Sequence, residues 1–335
     1  MQLKKFNVAV VGATGVVGQE VVKILEELNF PINELRLLAS ERSAGKRLTF
    51  KDSELEVDIL NNDSFSNIDL AFFSAGGSIS KKFAPIAVKA GAIVIDKSSI
   101  FRMDNHVPLI VPDVNPDNIL KHNGIISNPN CSTIQLVVAL KPIYDLVGIS
   151  RIIVSTYQAV SGSGKDAVTE LDNQTKQLIS KKTPSRLVYP HQIAFNLIPH
   201  IDEFDSNAYT YEEMKLIHET KKIMRDEHLK ITATAVRVPV FTGHSESVYI
   251  ETKKHLNIKE LKQLYLKTPG IKLVDDMANN KYPMPIMSET YDDVMIGRIR
   301  KDLAEPNGIN MWIVANNLRK GAALNSVQIA QLLIR

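Results

Sequence analysis

The sequence predicts an α/β protein of two domains, the first built on a mostly parallel sheet and the second of α+β type. Three observations predict it. The chain's 335 residues are more than one ordinary domain needs. Its first third alternates short apolar, β-rich runs with helix-period patterns, the signature of βαβ units. Near residue 131 the texture changes to one long apolar helix followed by alternating strands.

Taken in order, residues 6–11 read as a strand and 16–28 as an amphipathic helix. Residues 34–39 form a second strand, and 69–73 a later one that ends in Ser74-Ala-Gly-Gly77. A helix is expected through 81–89 and a strand over 92–95. The long helix runs from Ser132 to about Val147, and 151–158 and 231–241 alternate as strands. Residues 245–252 alternate in the same way and are expected to pair with their predecessor across Thr242-Gly243-His244. The stretch 324–334 is again helical. The expected division is 1–130 and 131–317, with the last segment, 318–335, packing back on the first domain.

Composition narrows the functions. Hydrophobic residues make up 44% and charged residues 23%, so the chain buries a large core and is not disordered. Forty Lys+Arg against 37 Asp+Glu leave +3, with no basic run, which argues against a nucleic-acid surface. A lone cysteine, Cys131, excludes an internal disulfide framework and thiolate-rich metal sites, and no metal is expected. No segment reads as a signal peptide or membrane span, so a cytoplasmic protein without membrane association is expected.

Gly12-Ala-Thr-Gly15-Val-Val-Gly18 lies between the first strand and the first helix. Glycines there permit a tight turn and close backbone approach, and the helix N-terminus offers amides and a positive dipole to a pyrophosphate. The pattern is a variant of the Rossmann dinucleotide fingerprint. The second strand runs into Ser40-Glu-Arg-Ser43. Glu41 is the residue type an NAD enzyme presents to the ribose, whereas Arg42 between hydroxyls favours the 2′-phosphate of NADP.

Asn128-Pro-Asn-Cys131-Ser-Thr133 opens the long helix. A helix N-terminus stabilises a thiolate, and the amides of the same turn can hold a developing oxyanion. A cysteine nucleophile beside a nicotinamide suggests thioester chemistry. Thiolate adds to an aldehyde, hydride leaves to the cofactor, and a second nucleophile cleaves the thioester. The proton acceptor best suited near neutral pH is a histidine, and His244, after Gly243 in a turn that follows a strand, is the candidate.

These residues resemble the aspartate-semialdehyde dehydrogenase family. The likeness rests on Gly12–Gly18, Ala39-Ser-Glu-Arg-Ser-Ala-Gly45, Ser98-Ser-Ile-Phe-Arg-Met103, Asn128–Thr133 and Tyr157-Gln-Ala-Val-Ser-Gly162. Glu212-Glu-Met-Lys215, Arg237-Val-Pro-Val-Phe-Thr-Gly-His244 and Asn316-Asn-Leu-Arg-Lys-Gly-Ala322 complete it, in family order along almost the whole chain. The resemblance implies an N-terminal Rossmann-like NADP-binding domain and a second α+β catalytic and dimerisation domain. It implies reversible reductive dephosphorylation of L-4-aspartyl phosphate to L-aspartate 4-semialdehyde and inorganic phosphate, in lysine, methionine and threonine biosynthesis. A homodimer is expected, in some members paired into a tetramer.

Carried over by residue, the resemblance makes Cys131 the thioester nucleophile, His244 the acid/base and Gln158 the amide that orients the substrate. Arg102, Asn130 and Lys215 fall on phosphate-binding positions, Arg237 on the position that grips the substrate carboxylate. Glu212, chosen over Glu213, falls on the position that holds the amino group. Gly12, Thr14, Gly15, Val16, Val17, Gly18, Arg42, Ser43, Ser161, Gly162 and Asn316 fall on cofactor-contacting positions. The chemistry agrees: two cations and an amide suit a phosphate, and a guanidinium fork suits a carboxylate.

Lys97, Asp113 and Ser163 depart from the family pattern, and none is a proposed chemical group. Two rivals compete. N-Acetyl-γ-glutamyl-phosphate reductase shares the fold and cysteine, but its acetylated substrate has no ammonium for Glu212, and the Phe241-Thr-Gly-His-Ser-Glu246 segment also argues against it. A non-catalytic NADP-binding redox sensor needs neither His244 nor Arg237.

Overall fold

A computed structural model describes residues 4–334. The chain divides into two compact units, Met1–Asn130 with Ala322–Arg335, and Cys131–Gly321.

The first unit opens with β1 (Phe6–Val11), α1 (Val16–Glu27), β2 (Ile32–Ala39), β3 (Arg47–Phe50) and β4 (Ser53–Ile59). It continues with β5 (Leu70–Phe73), α2 (Gly77–Lys89), β6 (Ile93–Asp96) and β7 (Ile125–Ser127). Seven strands lie in the order β3-β4-β2-β1-β5-β6-β7, with β3 antiparallel to β4 and the other pairs parallel. Strand β1 is central, and its Val8–Val11 run is fully buried, because a parallel strand covered on both faces reads as a continuous apolar run. One side of the sheet packs with Val21, Ile24 and Leu25 of α1 and with Val327 and Ile329 of the chain's last helix, Leu324–Leu333. Phe83, Ala84 and Ala87 of α2 cover the other side with Phe65.

The second unit begins with α3 (Cys131–Val147), β8 (Ile149–Gln158), α4 (Lys165–Ile179), α5 (Tyr211–Met224) and β9 (Lys230–Arg237). Strand β10 (His244–Thr252), α6 (Ile258–Tyr265), β11 (Ile271–Leu273), β12 (Val294–Lys301) and β13 (Gly308–Ala315) follow. Its six-stranded sheet has the order β11-β12-β13-β10-β8-β9. Helix α3 is apolar nearly all round and its residues from Ser132 to Leu140 are buried, as expected of a helix enclosed in a core. Strand β10 alternates, with His244, Glu246, Val248 and Ile250 all buried.

The structure corrects one pairing. Strand β10 does not form a hairpin with β9; β8 lies between them, antiparallel to β10 and parallel to β9. Strand β9 also stops at Arg237 rather than Phe241. Pro239 has no N–H to continue a ladder, and alternation records which face of a strand is buried but not which strand is its neighbour. His244 is therefore the first residue of β10 and not part of a turn.

Candidate active site

In the first unit, the loop between β1 and α1 is shaped by close backbone contacts. Gly12 has φ +81°, and its N–H donates to Leu38 O at 2.8 Å. A Cβ on Gly18 would lie 2.2 Å from Gly12 O, so the helix approaches the loop as only glycine allows. Helix α1 starts at Gly15 without a side-chain cap and has no acidic residue in its first turn. Those are the features of an anion cradle, with uncapped amides and an uncompensated dipole. Thr14, Val16 and Val17 line the same turn. Glu41, Arg42 and Ser43 form a short 3-10 turn directly after β2, and Glu41 and Arg42 are both exposed. The loop and helix start suit a dinucleotide pyrophosphate on their own geometry.

Arg102 and Asn130 also belong to the first unit and are buried. The Arg102 guanidinium donates from Nη2 to Lys97 O at 2.7 Å, so Lys97 contributes its backbone here. Beside it, Asp96 accepts hydrogen bonds from Ser80 and Ser98 at 2.5 and 2.6 Å. Burial nevertheless raises the Asp96 carboxyl above its usual range.

The remaining proposed residues lie in the second unit, most of them near the ends of adjoining strands. Gln158 ends β8 and is paired in register with Arg237, which ends β9. His244 begins β10 opposite Ala315, the last residue of β13. Between them, Ala159 uses both its backbone groups. Its N–H donates to His244 Nδ1 at 3.0 Å, and its carbonyl accepts from Arg237 Nη1 at 2.8 Å. The first contact makes Nδ1 an acceptor, so a neutral His244 ring carries its proton on Nε2. A Cβ at Gly162 would stand 3.4 Å from that Nε2 and 3.1 Å from Arg237 Nη1. The absent side chain leaves this space open.

Arg237 is 6% exposed, and its Nε makes no hydrogen bond among the described residues. The Tyr189 ring lies 5.9 Å from its guanidinium carbon. Tyr189 is held there because Glu170 accepts from Leu187 N at 3.0 Å and from Val188 N, while Gln174 accepts from Ile193 N at 2.9 Å. A buried guanidinium with unused donor capacity suits a planar carboxylate.

Helix α5 supplies the acid and the lysine. Gln158 Nε2 donates to Glu212 Oε1 at 3.3 Å, and Lys215 Nζ donates to Glu212 Oε2 at 3.2 Å and Asp202 Oδ2 at 2.6 Å. Burial works against the Lys215 ammonium, but Glu212 and Asp202 outweigh it and hold its pKa above the usual value. Glu213 is engaged elsewhere. Its carboxylate closes a capping box with Thr210 and accepts from Ala235 N at 2.9 Å. Of the two acids, Glu212 is the one that faces Gln158 and Lys215.

Cys131 is the first residue of α3, so its sulfur lies at the positive end of the helix. Gly321 packs against it; a Cβ there would be 2.8 Å from Cys131 Cβ. Gly321 N donates to Asn316 O at 2.9 Å. The Asn316 side chain is engaged in the turn, donating to Ser288 O at 3.0 Å and accepting from Leu318 N at 3.0 Å. Asn317 then links Ser161 to the residue before the histidine, accepting from Gly243 N at 2.9 Å and donating to Ser161 Oγ at 3.0 Å.

Sequence reasoning missed Ala159, Asp202, Tyr189 and Asn317. The first acts through its backbone, and the others meet the site by tertiary contact without a local motif. Among the described residues no cluster of His, Cys, Asp or Glu is arranged to hold a metal ion.

Comparisons with known proteins bear on both units. Residues 7–122 match the family model described as semialdehyde dehydrogenase, NAD binding domain, and residues 140–320 match semialdehyde dehydrogenase, dimerisation domain. The chain is 56% identical to the aspartate-semialdehyde dehydrogenase of Aquifex aeolicus, over 98% of each chain. It superposes with a TM-score of 0.97 on the crystal structure of aspartate semialdehyde dehydrogenase II from Vibrio cholerae complexed with ASA. Those two are 47% identical, over 99% of each chain. With the Candida albicans enzyme crystallised with NADP the TM-score is 0.76 at 26% identity, covering 98% of each chain.

Proposed function

The chain belongs to the aspartate-semialdehyde dehydrogenase family, and from that premise we propose how its own residues run the family's reaction. That reaction is the NADP-dependent, reversible reductive dephosphorylation of L-4-aspartyl phosphate to L-aspartate 4-semialdehyde and phosphate. The first unit is the NADP-binding domain, with the pyrophosphate on the Gly12–Gly18 loop and Arg42 and Ser43 at the 2′-phosphate. Ser161, Gly162 and Asn316 are the proposed cofactor contacts of the second unit. The second unit is catalytic and forms a homodimer through its dimerisation domain. Among the described residues no helix is long and apolar enough to cross a membrane.

Arg237 takes the substrate α-carboxylate and Glu212 its ammonium. Arg102, Asn130 and Lys215 take the phosphate. The Cys131 sulfur attacks the acyl phosphate, phosphate leaves, and a thioester remains on the cysteine. Bound NADPH supplies the hydride that reduces this thioester to the hemithioacetal level. Gln158 orients the carbonyl, and His244 Nε2–H donates to the oxyanion as it forms. Collapse returns the thiolate at the helix start and releases the aldehyde. In the reverse direction phosphate is the nucleophile that cleaves the thioester.

The observation that supports this reading best is the shared anchoring by Ala159. One residue fixes both the tautomer of His244 and the orientation of Arg237, as a reaction needing a proton donor and a carboxylate clamp side by side requires. The test is NADPH formation by purified protein from L-aspartate 4-semialdehyde and NADP, with and without phosphate, and with N-acetylglutamate semialdehyde in parallel. Phosphate-dependent reduction with the first substrate alone is expected; activity only with the acetylated one would sink the reading.

Arg237→Lys gives a narrower check. An ammonium lacks the planar fork that gives a carboxylate two parallel donors while also holding Ala159 O, so KM for the semialdehyde is expected to rise by about 10²-fold. A rise below threefold would place the carboxylate elsewhere.

A further inference from the structure

Glu246 is a buried acid that the reaction as drawn leaves unused. It is wholly enclosed, and neither of its carboxyl oxygens makes a hydrogen bond among the described residues. On β10 it shares the core face with His244, two residues before it. Directly across from it are Thr156 of β8 and Ile313 of β13. Gln135 faces it from α3, one turn on from Cys131, with an amide nitrogen that likewise has no hydrogen-bond partner. The two groups interact without reaching hydrogen-bond geometry.

The ionisable neighbours are few. On its own strand there is His244, two residues before it, and α3, which faces it through Gln135, carries Cys131 four residues earlier. On β8, Thr156 accepts from Gln158 at 3.3 Å, and Gln158 leads on to Glu212 of α5. Strand β13 contributes only apolar Ile313 and Ala315 on this face. Among the described residues no cation offsets the carboxyl. Burial raises it well above its usual range, and the Gln135 amide alone opposes this. A group so placed is buried more easily as the neutral acid than as the anion.

We propose that Glu246 is a positioning residue held as a neutral carboxylic acid, braced between the helix that carries Cys131 and the strands that carry Gln158 and His244. The inference rests on Cys131 and His244 having the roles given above. A neutral acid presents one acceptor to the Gln135 amide and one O–H donor toward the hydroxyl of Thr156. It also adds no negative charge beside the two anions the reaction forms, the thiolate and the tetrahedral oxyanion. Ionising Glu246 removes the donor and opposes both anions at once, so wild-type kcat declines on the alkaline side as this carboxyl loses its proton.

The test compares wild type, Glu246→Ala and Glu246→Gln by pH-dependent turnover and by infrared difference spectra. A protonated-carboxyl band at pH 7 is expected in wild type and not in Glu246→Gln. Glu246→Ala is expected to lower kcat about tenfold with KM little changed, and Glu246→Gln to restore it to within about twofold, as loss and recovery of positioning predict. The alkaline decline is absent from the Gln variant. Thermal stability carries the same sign. The folded pKa lies above the ordinary 4.5, so the acid's contribution is intact below that value and lost as pH rises through the folded pKa. Glu246→Gln therefore has the higher Tm at pH 8 and no advantage at pH 4.

An unchanged alkaline limb in a folded Glu246→Gln protein, or no band lost, overturns the proposal. If the Gln variant does not fold, Glu246→Met carries the comparison, and failure of both neutral side chains to fold also overturns it. Absence of turnover in wild type would count against the dehydrogenase reading, and the infrared comparison would still decide whether the acid is neutral.

Discussion

Replacing Cys131 by alanine is expected to abolish turnover, by at least about 10⁴-fold, the scale on which removing a covalent nucleophile acts. Cys131 is the only cysteine in the chain, so no neighbouring thiol can substitute. Alanine is a strong helix former, and the core packing of α3 comes from the buried run Ser132–Leu140 rather than from Cys131, so the fold survives the change. NADP affinity, measured by fluorescence titration, is expected to stay within about threefold, because the pyrophosphate loop is untouched. A second readout follows from the same residue: iodoacetamide labels wild type at one site, and bound aspartyl phosphate analogue protects it. Turnover that persists in Cys131→Ala would remove the thioester from the reaction.

Gly18→Ala is expected to be damaging far beyond the size of the methyl group it adds. Its Cβ would sit 2.2 Å from Gly12 O, 2.8 Å from Gly12 C and 2.9 Å from Ala13 Cα, all of them backbone atoms. No rotamer relieves such a clash, so either α1 moves off the loop or the loop opens. A loss of about 3 kcal/mol or more is expected, at the high end of overpacking, with NADP affinity falling in parallel. Gly45→Ala is the comparison. Gly45 has φ +78° but open space around a Cβ, so only backbone strain of about 1–2 kcal/mol applies. Urea midpoints of the two variants separate the effects; equal losses would show that contact with Gly12 is not what fixes the glycine.

What the sequence made legible was local. The Gly12–Gly18 turn, the helix starting at Cys131 and the position of His244 after Gly243 depend on neighbours a few residues away. The choice of Glu212 over Glu213 had a local signal as well. Thr210-Tyr-Glu-Glu213 is a capping-box pattern, and recognising it would have assigned Glu213 to the helix start by physics alone. Other features had no such signal. The insertion of β8 between β10 and β9 is a matter of long-range pairing. Asp202 reaches Lys215 and Tyr189 reaches Arg237 only because Glu170 and the strand ends fold their loops inward. Ala159 is unremarkable as a side chain, and its two backbone contacts follow from where β8 happens to end. Glu246 reads as one polar residue in an alternating strand until the burial of its face is known.

The chain enters the second unit at Cys131 and leaves it at Gly321, and these two residues touch. The second unit is thus a closed loop of sequence set into the first, which is completed by the final helix, Leu324–Leu333. Ala323, Val327, Ile329 and Ala330 of that closing segment belong to the same core cluster as Val8, Val10 and Ile24. During synthesis the early sheet must therefore wait, with one face covered by α1 but not yet by the final helix, while the whole inserted unit is made. The inserted unit can finish folding first, and the nucleotide-binding half is completed only after that unit has been made. A truncation before residue 322 should consequently be felt in the N-terminal sheet, at the opposite end of the sequence from the cut.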